Sequence, residues 1–278
     1  MAFQAYTLAE RPELGENDRV MQLLTAGWPA FVLGDPIALE AWPRVTSEFA
    51  DHHVALVEEP SGTLVGIGYS IPFTWDGTPA GLPGGWQAVV AQALADRDAG
   101  RTPTAAAALS ITIAPTHQGR GLSRQVLLAL RGVAAAHGFA ALVAPVRPNL
   151  KHRYPLTPIE RYVAWTRPDG APLDPWLRVH WRLGAAFVAI CPASTVITAS
   201  VAAWEAWTGL VFPDSGEYVV DGALVPVTID RVRDLGRYIE PNVWMRHPLS
   251  VVPDGPQGGP ADSVSAFRAT PRALGRSP

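Results

Sequence analysis

The stretch that most restricts this chain is Ala105–Gly138, where an apolar run meets an amphipathic one through Gln118-Gly119-Arg120-Gly121-Leu122-Ser123. Leu109–Ile113 is apolar, partly β-branched and stops just before Pro115, so it reads as a buried strand. Ser123–His137 carries Val126, Leu127, Leu130, Val133 and Ala134 at helical spacing, with Gly138 at the C-cap position. A strand, a glycine-rich turn and a helix start direct free backbone N–H groups and a positive dipole end at one point. Such a point suits a phosphate or pyrophosphate. The G-x-G-x-x-G of a dinucleotide fold and the G-K-[ST] of a triphosphate loop are both absent. Two glycines at a helix start cost backbone entropy without a packing gain, which favours a ligand over a turn that only relieves strain.

The segment Ile111-Thr112-Ile113-Ala114-Pro115-Thr116-His117-Gln118-Gly119-Arg120-Gly121-Leu122 resembles the acyl-CoA-binding motif of the GCN5-related N-acetyltransferase superfamily. Ser123 stands where that family commonly has a third glycine or an alanine. The resemblance implies an α/β fold: a mixed, mostly antiparallel sheet, splayed at its centre and flanked by helices, here with two insertions and a C-terminal extension. It implies acetyl-CoA or another acyl-CoA as co-substrate. The expected cofactor contacts are Ile111, Thr112 and Ile113 along the strand, Gln118, Gly119, Arg120, Gly121, Leu122, Ser123 and Arg124 at the loop, and Asn149 where the sheet opens. The oxyanion donor is expected to be a backbone N–H near Ile113 or Ala114.

Composition narrows the rest. A formal net charge of −3 argues against a general nucleic-acid or membrane-surface role. Cys191 is the sole cysteine, so neither an intrachain disulfide nor a cysteine metal cluster is available. The polar N-terminus does not read as a signal peptide, and no apolar run approaches a membrane span. A soluble cytoplasmic protein is expected, with a homodimer left open. No metal site is expected, because His52-His53 is the only histidine pair and no ligand spacing surrounds it.

Taken in order, the chain predicts a strand at 3–7, a helix at 19–26 capped by Asp18, and a second helix opened by Asp35-Pro36. A hairpin follows at 54–57 and 64–70. Residues 72–103 form a first insertion around a helix at 86–98, placed to shape the acceptor cleft or merely to decorate the surface. After the motif come a strand at 140–146 and a second insertion at 150–173, read as a proline-stiffened lid or wall. Asp174-Pro175 opens a helix that Gly184 stops. A strand at 186–190 ends the expected core, about 14–190 within a domain spanning 1–249. Strands at 225–229 and 238–244 lie in the extension 191–249, and 250–278 reads as a disordered tail.

The expected function is N-acylation of a small-molecule amine by direct transfer in a ternary complex. The alternatives are a non-catalytic acyl-CoA-binding module, or a decarboxylase or thioesterase using the same pocket. His180 aligns with the family's tyrosine that faces the CoA sulfur, and an imidazole can serve as acid or base near neutrality. Packing between Trp176 and Trp181 is the competing role for it. The motif strand lacks the glutamate that many family members use as base, so Glu160 and Tyr162 stand in reserve. Trp165, Trp176 and Trp181 suit an apolar or aromatic acceptor. Arg147, Arg153, Arg161 and Arg167 could instead clamp a carboxylate.

Overall fold

The computed structural model describes residues 2–249, so the expected tail, 250–278, lies outside the described residues. The chain opens with β1 (Ala2–Thr7), α1 (Asn17–Gly27), α2 (Ala30–Leu33) and α3 (Pro36–Glu48). Asp35 caps α3 as the sequence suggests, its side chain accepting from the Ile37 amide at 3.0 Å. Asp18 does not cap α1; the N-cap is Glu16, and Asp18 sits in the first turn, where a carboxylate still suits the dipole. The hairpin β2 (Val54–Glu59) and β3 (Thr63–Phe73) leads into the first insertion, whose helix is α4 (Trp86–Asp98).

The motif strand is β4 (Ala105–Ile113), longer than expected because its alanine run is also strand. The motif helix is α5 (Leu122–Ala136). Beyond it come β5 (Ala141–Val146), the short α6 (Ile159–Val163), α7 (Pro175–Arg182), β6 (Ala186–Ala199), α8 (Val201–Thr208), β7 (Gly216–Tyr218), β8 (Val227–Asp230) and β9 (Leu235–Pro248).

These strands form one sheet in the order β1-β2-β3-β4-β5-β9-β8-β7, with β6 also paired to β9. Alternation along β4 sends Ala105, Ala107 and Leu109 into a core with α1, α3 and α4, and Ala106 and Ala108 into a core with α5 and α7. The strand is sandwiched, and its small side chains let helices approach both faces. A third cluster, with Phe31, Trp204 and Tyr238, lies under α8 and β8.

β4 and β5 run parallel and share only two register pairs, Ala106↔Leu142 and Ala107↔Val143. Past them the strands diverge, and this is the central splay that the resemblance implied. β9 pairs with β5 on one side and with β6 on the other. The expected core boundary at 190 therefore cuts through β6, and the segment beyond it supplies a strand at the heart of the sheet. The strand expected at 225–229 overlaps β8, which pairs with β7 and with the other end of β9.

Candidate active site

The turn between β4 and α5 has the expected backbone. Gly119 and Gly121 take φ of +75° and +77°, a region that strains any residue with a Cβ. A Cβ at either position would meet nothing within 4 Å, so conformation and open space, not crowding, call for glycine. Gly121 is the N-cap of α5 and offers no side chain to its orphan amides. A hollow of about 180 Å³ at this turn is lined by Ile111, Ile113, His117, Gln118, Gly119, Gly121, Leu122 and Ser123. Arg120 turns its guanidinium over the Phe3 ring, 5.0 Å from the centroid, and Arg124 is exposed.

The splay opens a cavity of about 320 Å³, which shares Ile111, Ile113, Gln118 and Ser123 with the loop hollow. Loop and cleft are thus one continuous channel. The Ala114 amide donates to Val65 O at 2.9 Å, so it is taken by β3 and cannot hold an oxyanion. Alternation then turns the peptide groups of Ile113 and Ile111 toward the opening, and Ile113 O accepts from the Gln118 side chain at 3.1 Å. Thr112 also lines the cavity, its hydroxyl accepting from the indole of Trp28, the C-cap of α1, at 2.8 Å. Asn149 is exposed at the cavity wall.

The first insertion builds this wall. Tyr69 pairs with Ser110 and Ser70 with Ala108, which leaves Leu109 in a bulge. Its carbonyl accepts from the Trp86 indole of α4 at 3.0 Å, and Trp86 stacks on Trp42 with centroids 6.3 Å apart. Both tryptophans line the cavity. The second insertion does not. Ile159 and Tyr162 bury against α7 and β5, and no residue of 150–173 lines the cavity, so it is neither lid nor wall.

Two acidic side chains that the sequence did not mark as site residues line the cavity. Asp35 is buried; besides capping α3 it accepts from Gln87 of α4 at 2.9 Å. Burial, reinforced by Glu240, holds its carboxyl above the usual aspartate range. Glu240, on β9, accepts from Arg147 at 2.8 Å, from the Tyr238 hydroxyl at 2.7 Å and from Asn242 at 3.1 Å. Arg147 is therefore matched to an internal carboxylate and is not a free clamp. Arg153, Arg161 and Arg167 are exposed and do not line the cavity.

His180 lines the cavity beside Trp176, with ring centroids 4.5 Å apart. Its Nδ1 is 2.9 Å from Nε2 of His247 on β9, and its Nε2 has no hydrogen-bond partner among the described residues. Burial, and secondarily His247, push its pKa well below the ordinary histidine value. Burial, helped by the charge of Arg131, takes His247 down to about 3. Both imidazoles are neutral near pH 7. The reserve candidates lie elsewhere. Tyr162 is buried with its hydroxyl donated to Asp174 at 2.8 Å, Glu160 is exposed, and neither lines the cavity. Trp165 and Trp181 are also absent from the lining.

No family model matches the chain. It is 34% identical over 278 residues to arginine N-acetyltransferase avaD of Aspergillus versicolor, covering 89% of this chain and 94% of that protein. Among solved structures it is similar to the loading GNATL domain of CurA from Lyngbya majuscula, with a TM-score of 0.54, 15% identity, and 90% of this chain and 98% of that one covered. It is equally similar to the GphF GNAT-like decarboxylase in complex with isobutyryl-CoA, at a TM-score of 0.54, 17% identity, and coverage of 90% and 100%. The last two likenesses speak for the fold, and the first, with the motif and the splayed sheet, for the family. The chain belongs to the GCN5-related N-acetyltransferase superfamily and is an acyltransferase that takes its acyl group from acyl-CoA.

Proposed function

We propose that the protein acylates the amine of a small cationic molecule of the arginine type, by direct transfer from acyl-CoA within a ternary complex. The observation that carries this reading is the pair of acidic residues in the cavity, Asp35 and Glu240, with only one of them matched by Arg147. Three charged groups there leave one negative charge when both carboxylates are ionised. A bound guanidinium or ammonium would relieve the desolvation that raises the Asp35 pKa. The name of the avaD relative, an arginine N-acetyltransferase, agrees with such an acceptor.

Direct transfer is favoured because the chain's only cysteine is a poor acyl carrier. Cys191 is buried, does not line the cavity, and has its thiol pushed up to about 12 by burial. In our reading the amides of Gln118–Ser123 bind the pyrophosphate, with Arg120 and Arg124 at the rim, and the peptide groups of Ile111 and Ile113 meet the pantetheine. Ile113 N–H is the oxyanion donor. The amine nitrogen attacks the thioester carbon, a C–N bond forms, the C–S bond breaks, and one proton passes from nitrogen to the departing sulfur.

His180 is the residue we assign to that proton. A low pKa makes a weak base but leaves a neutral N–H able to donate. When Nδ1 accepts from His247, Nε2 carries the hydrogen and can donate to the leaving thiolate. When Nδ1 holds the proton, Nε2 is free to accept one from the amine. The two forms differ in the hydrogen of the 2.9 Å contact together with those on the outer nitrogens, so passing between them takes the Nε2 proton that His180 exchanges with the substrate as well.

The test is thiol release from acetyl-CoA with L-arginine, L-lysine, agmatine and the neutral isostere L-citrulline. Release that depends on a cationic amine, and falls at least about tenfold with citrulline, is expected, since a desolvated charge pair is worth a few kcal/mol. Release that needs no amine would point to hydrolysis or decarboxylation in the same pocket and would overturn the reading.

A further inference from the structure

On the side of the molecule away from the cleft, the short turn Ala50–His52 touches the C-terminal end of α5. His137, the C-cap of α5, sets its Nε2 3.1 Å from Asp51 Oδ2, and His52 sets its Nε2 3.8 Å from the same oxygen. The three ligand-type atoms all lie within 4.8 Å of one another, and none of these residues lines the cavity or the loop hollow. We propose that Asp51, His52 and His137 form a zinc site that ties the turn before β2 to the far end of the motif helix.

The distances suit the ion. Zinc bonds of about 2.0–2.2 Å in a tetrahedron separate neighbouring ligand atoms by roughly 3.3–3.6 Å. The observed 3.1 Å and 3.8 Å bracket that edge. Asp51 and His137 are exposed enough for small rotations to bring all three onto one ion. The tautomer is suitable as well. His137 Nδ1 lies 2.9 Å from Val133 O, a contact that fixes Nδ1–H, so the Nε2 now bonded to Asp51 is the nitrogen that would lose its hydrogen to a metal.

His52 supplies the buried ligand of the three. It is buried at 5% exposure, with its ring 4.2 Å from His137 and stacked on Phe139 at 5.8 Å. Yet its Nδ1 has no partner, and its Nε2 stands too far from Asp51 for a hydrogen bond. A cation at Nε2 would give this buried ring a polar partner on the side facing Asp51 and His137. The negative end of the α5 dipole and the Asp51 carboxylate favour positive charge there. Arg97, the cation felt by His52, is already paired with Glu48 at 2.7 Å. Two imidazoles and one carboxylate select zinc or a neighbouring transition ion over magnesium or calcium. Three protein ligands leave the fourth position to water.

The experiment uses the full chain without any histidine tag, stripped with a chelator and titrated with zinc chloride. One zinc per chain is expected by calorimetry and by metal analysis after desalting. At a hundredfold excess over Kd the melting temperature should rise by roughly 5–10 °C. His137→Gln and Asp51→Asn change exposed side chains and should fold. Each should weaken zinc binding by at least about tenfold and remove most of the thermal shift. Substoichiometric binding to the wild type, or the same binding and shift in both variants, overturns the site and leaves an ordinary Asp51–His137 ion pair.

Discussion

His180 Nδ1 and His247 Nε2 lie 2.9 Å apart, and the outer nitrogen of each ring, Nε2 of His180 and Nδ1 of His247, has no hydrogen-bond partner among the described residues. In the proposed reaction, the tautomers of these two neutral rings set whether His180 offers a donor or an acceptor to the substrate. His247 does not line the cavity, so under the proposed reaction its role is to position His180.

His180→Phe keeps the ring volume and removes the proton. Turnover should fall by roughly 10²–10⁴-fold while CoA affinity stays put, because the phosphate loop is untouched. His247→Phe should lower kcat less, leave KM unchanged and alter the pH profile of kcat. Full activity in a well-folded His180→Phe protein would end its catalytic assignment.

The same pair predicts acid sensitivity. Both folded-state values lie below the ordinary histidine value of 6.5, so beneath pH 6.5 the unfolded chain takes up protons that the native state refuses. The unfolded state then binds more protons, and stability rises with pH across that window. The contribution is complete above pH 6.5 and declines as pH falls toward about 3, the value for His247. Each histidine can add at most about 1.4 kcal/mol per pH unit. Melting curves from pH 7.5 to 4.5 should show a shallower decline in the His180→Phe/His247→Phe double variant. Parallel curves would show that the pair does not titrate in this way.

Gly121→Val places a β-branched residue at φ +77°. The backbone strain should cost about 1–2 kcal/mol of stability, and the loop must distort to relieve it. Calorimetry with CoA should register at least a tenfold loss of affinity, matching a shift of about 1.4 kcal/mol. A folded variant that binds CoA as tightly as the parent would remove the pyrophosphate from this loop.

Asp35→Asn separates cap from charge, since asparagine caps a helix as well as aspartate. The α3 helix and the melting temperature should be nearly preserved. KM for arginine should rise about tenfold or more, with KM for acetyl-CoA unchanged. Equal KM values for arginine in variant and parent would mean that the cation is bound elsewhere.

Local chemistry made much of the molecule readable. Proline and glycine punctuate the motif, and Gly119 and Gly121 adopt the positive φ that their position after a strand suggests. Asp35 and Asp174 cap helices because aspartate followed by proline does so almost regardless of context. The helix α4 falls where 86–98 was read as helical, and the family resemblance located the splay between β4 and β5.

The chemistry of the cleft was another matter. Asp35 meets Glu240 and His180 meets His247 only because β9 runs beside both β5 and β6, a strand order that no local pattern encodes. The same holds at the far end of α5, where His137 reaches Asp51 and His52 across the sheet's flank. Tyr162 and Glu160 stood in reserve behind His180, and packing turned one against Asp174 and the other to solvent. Spacing along the chain reports conformation over a few residues. Which distant side chains share a cavity depends on how sheet and helices bury their apolar faces together, and that is decided only when the whole core is assembled.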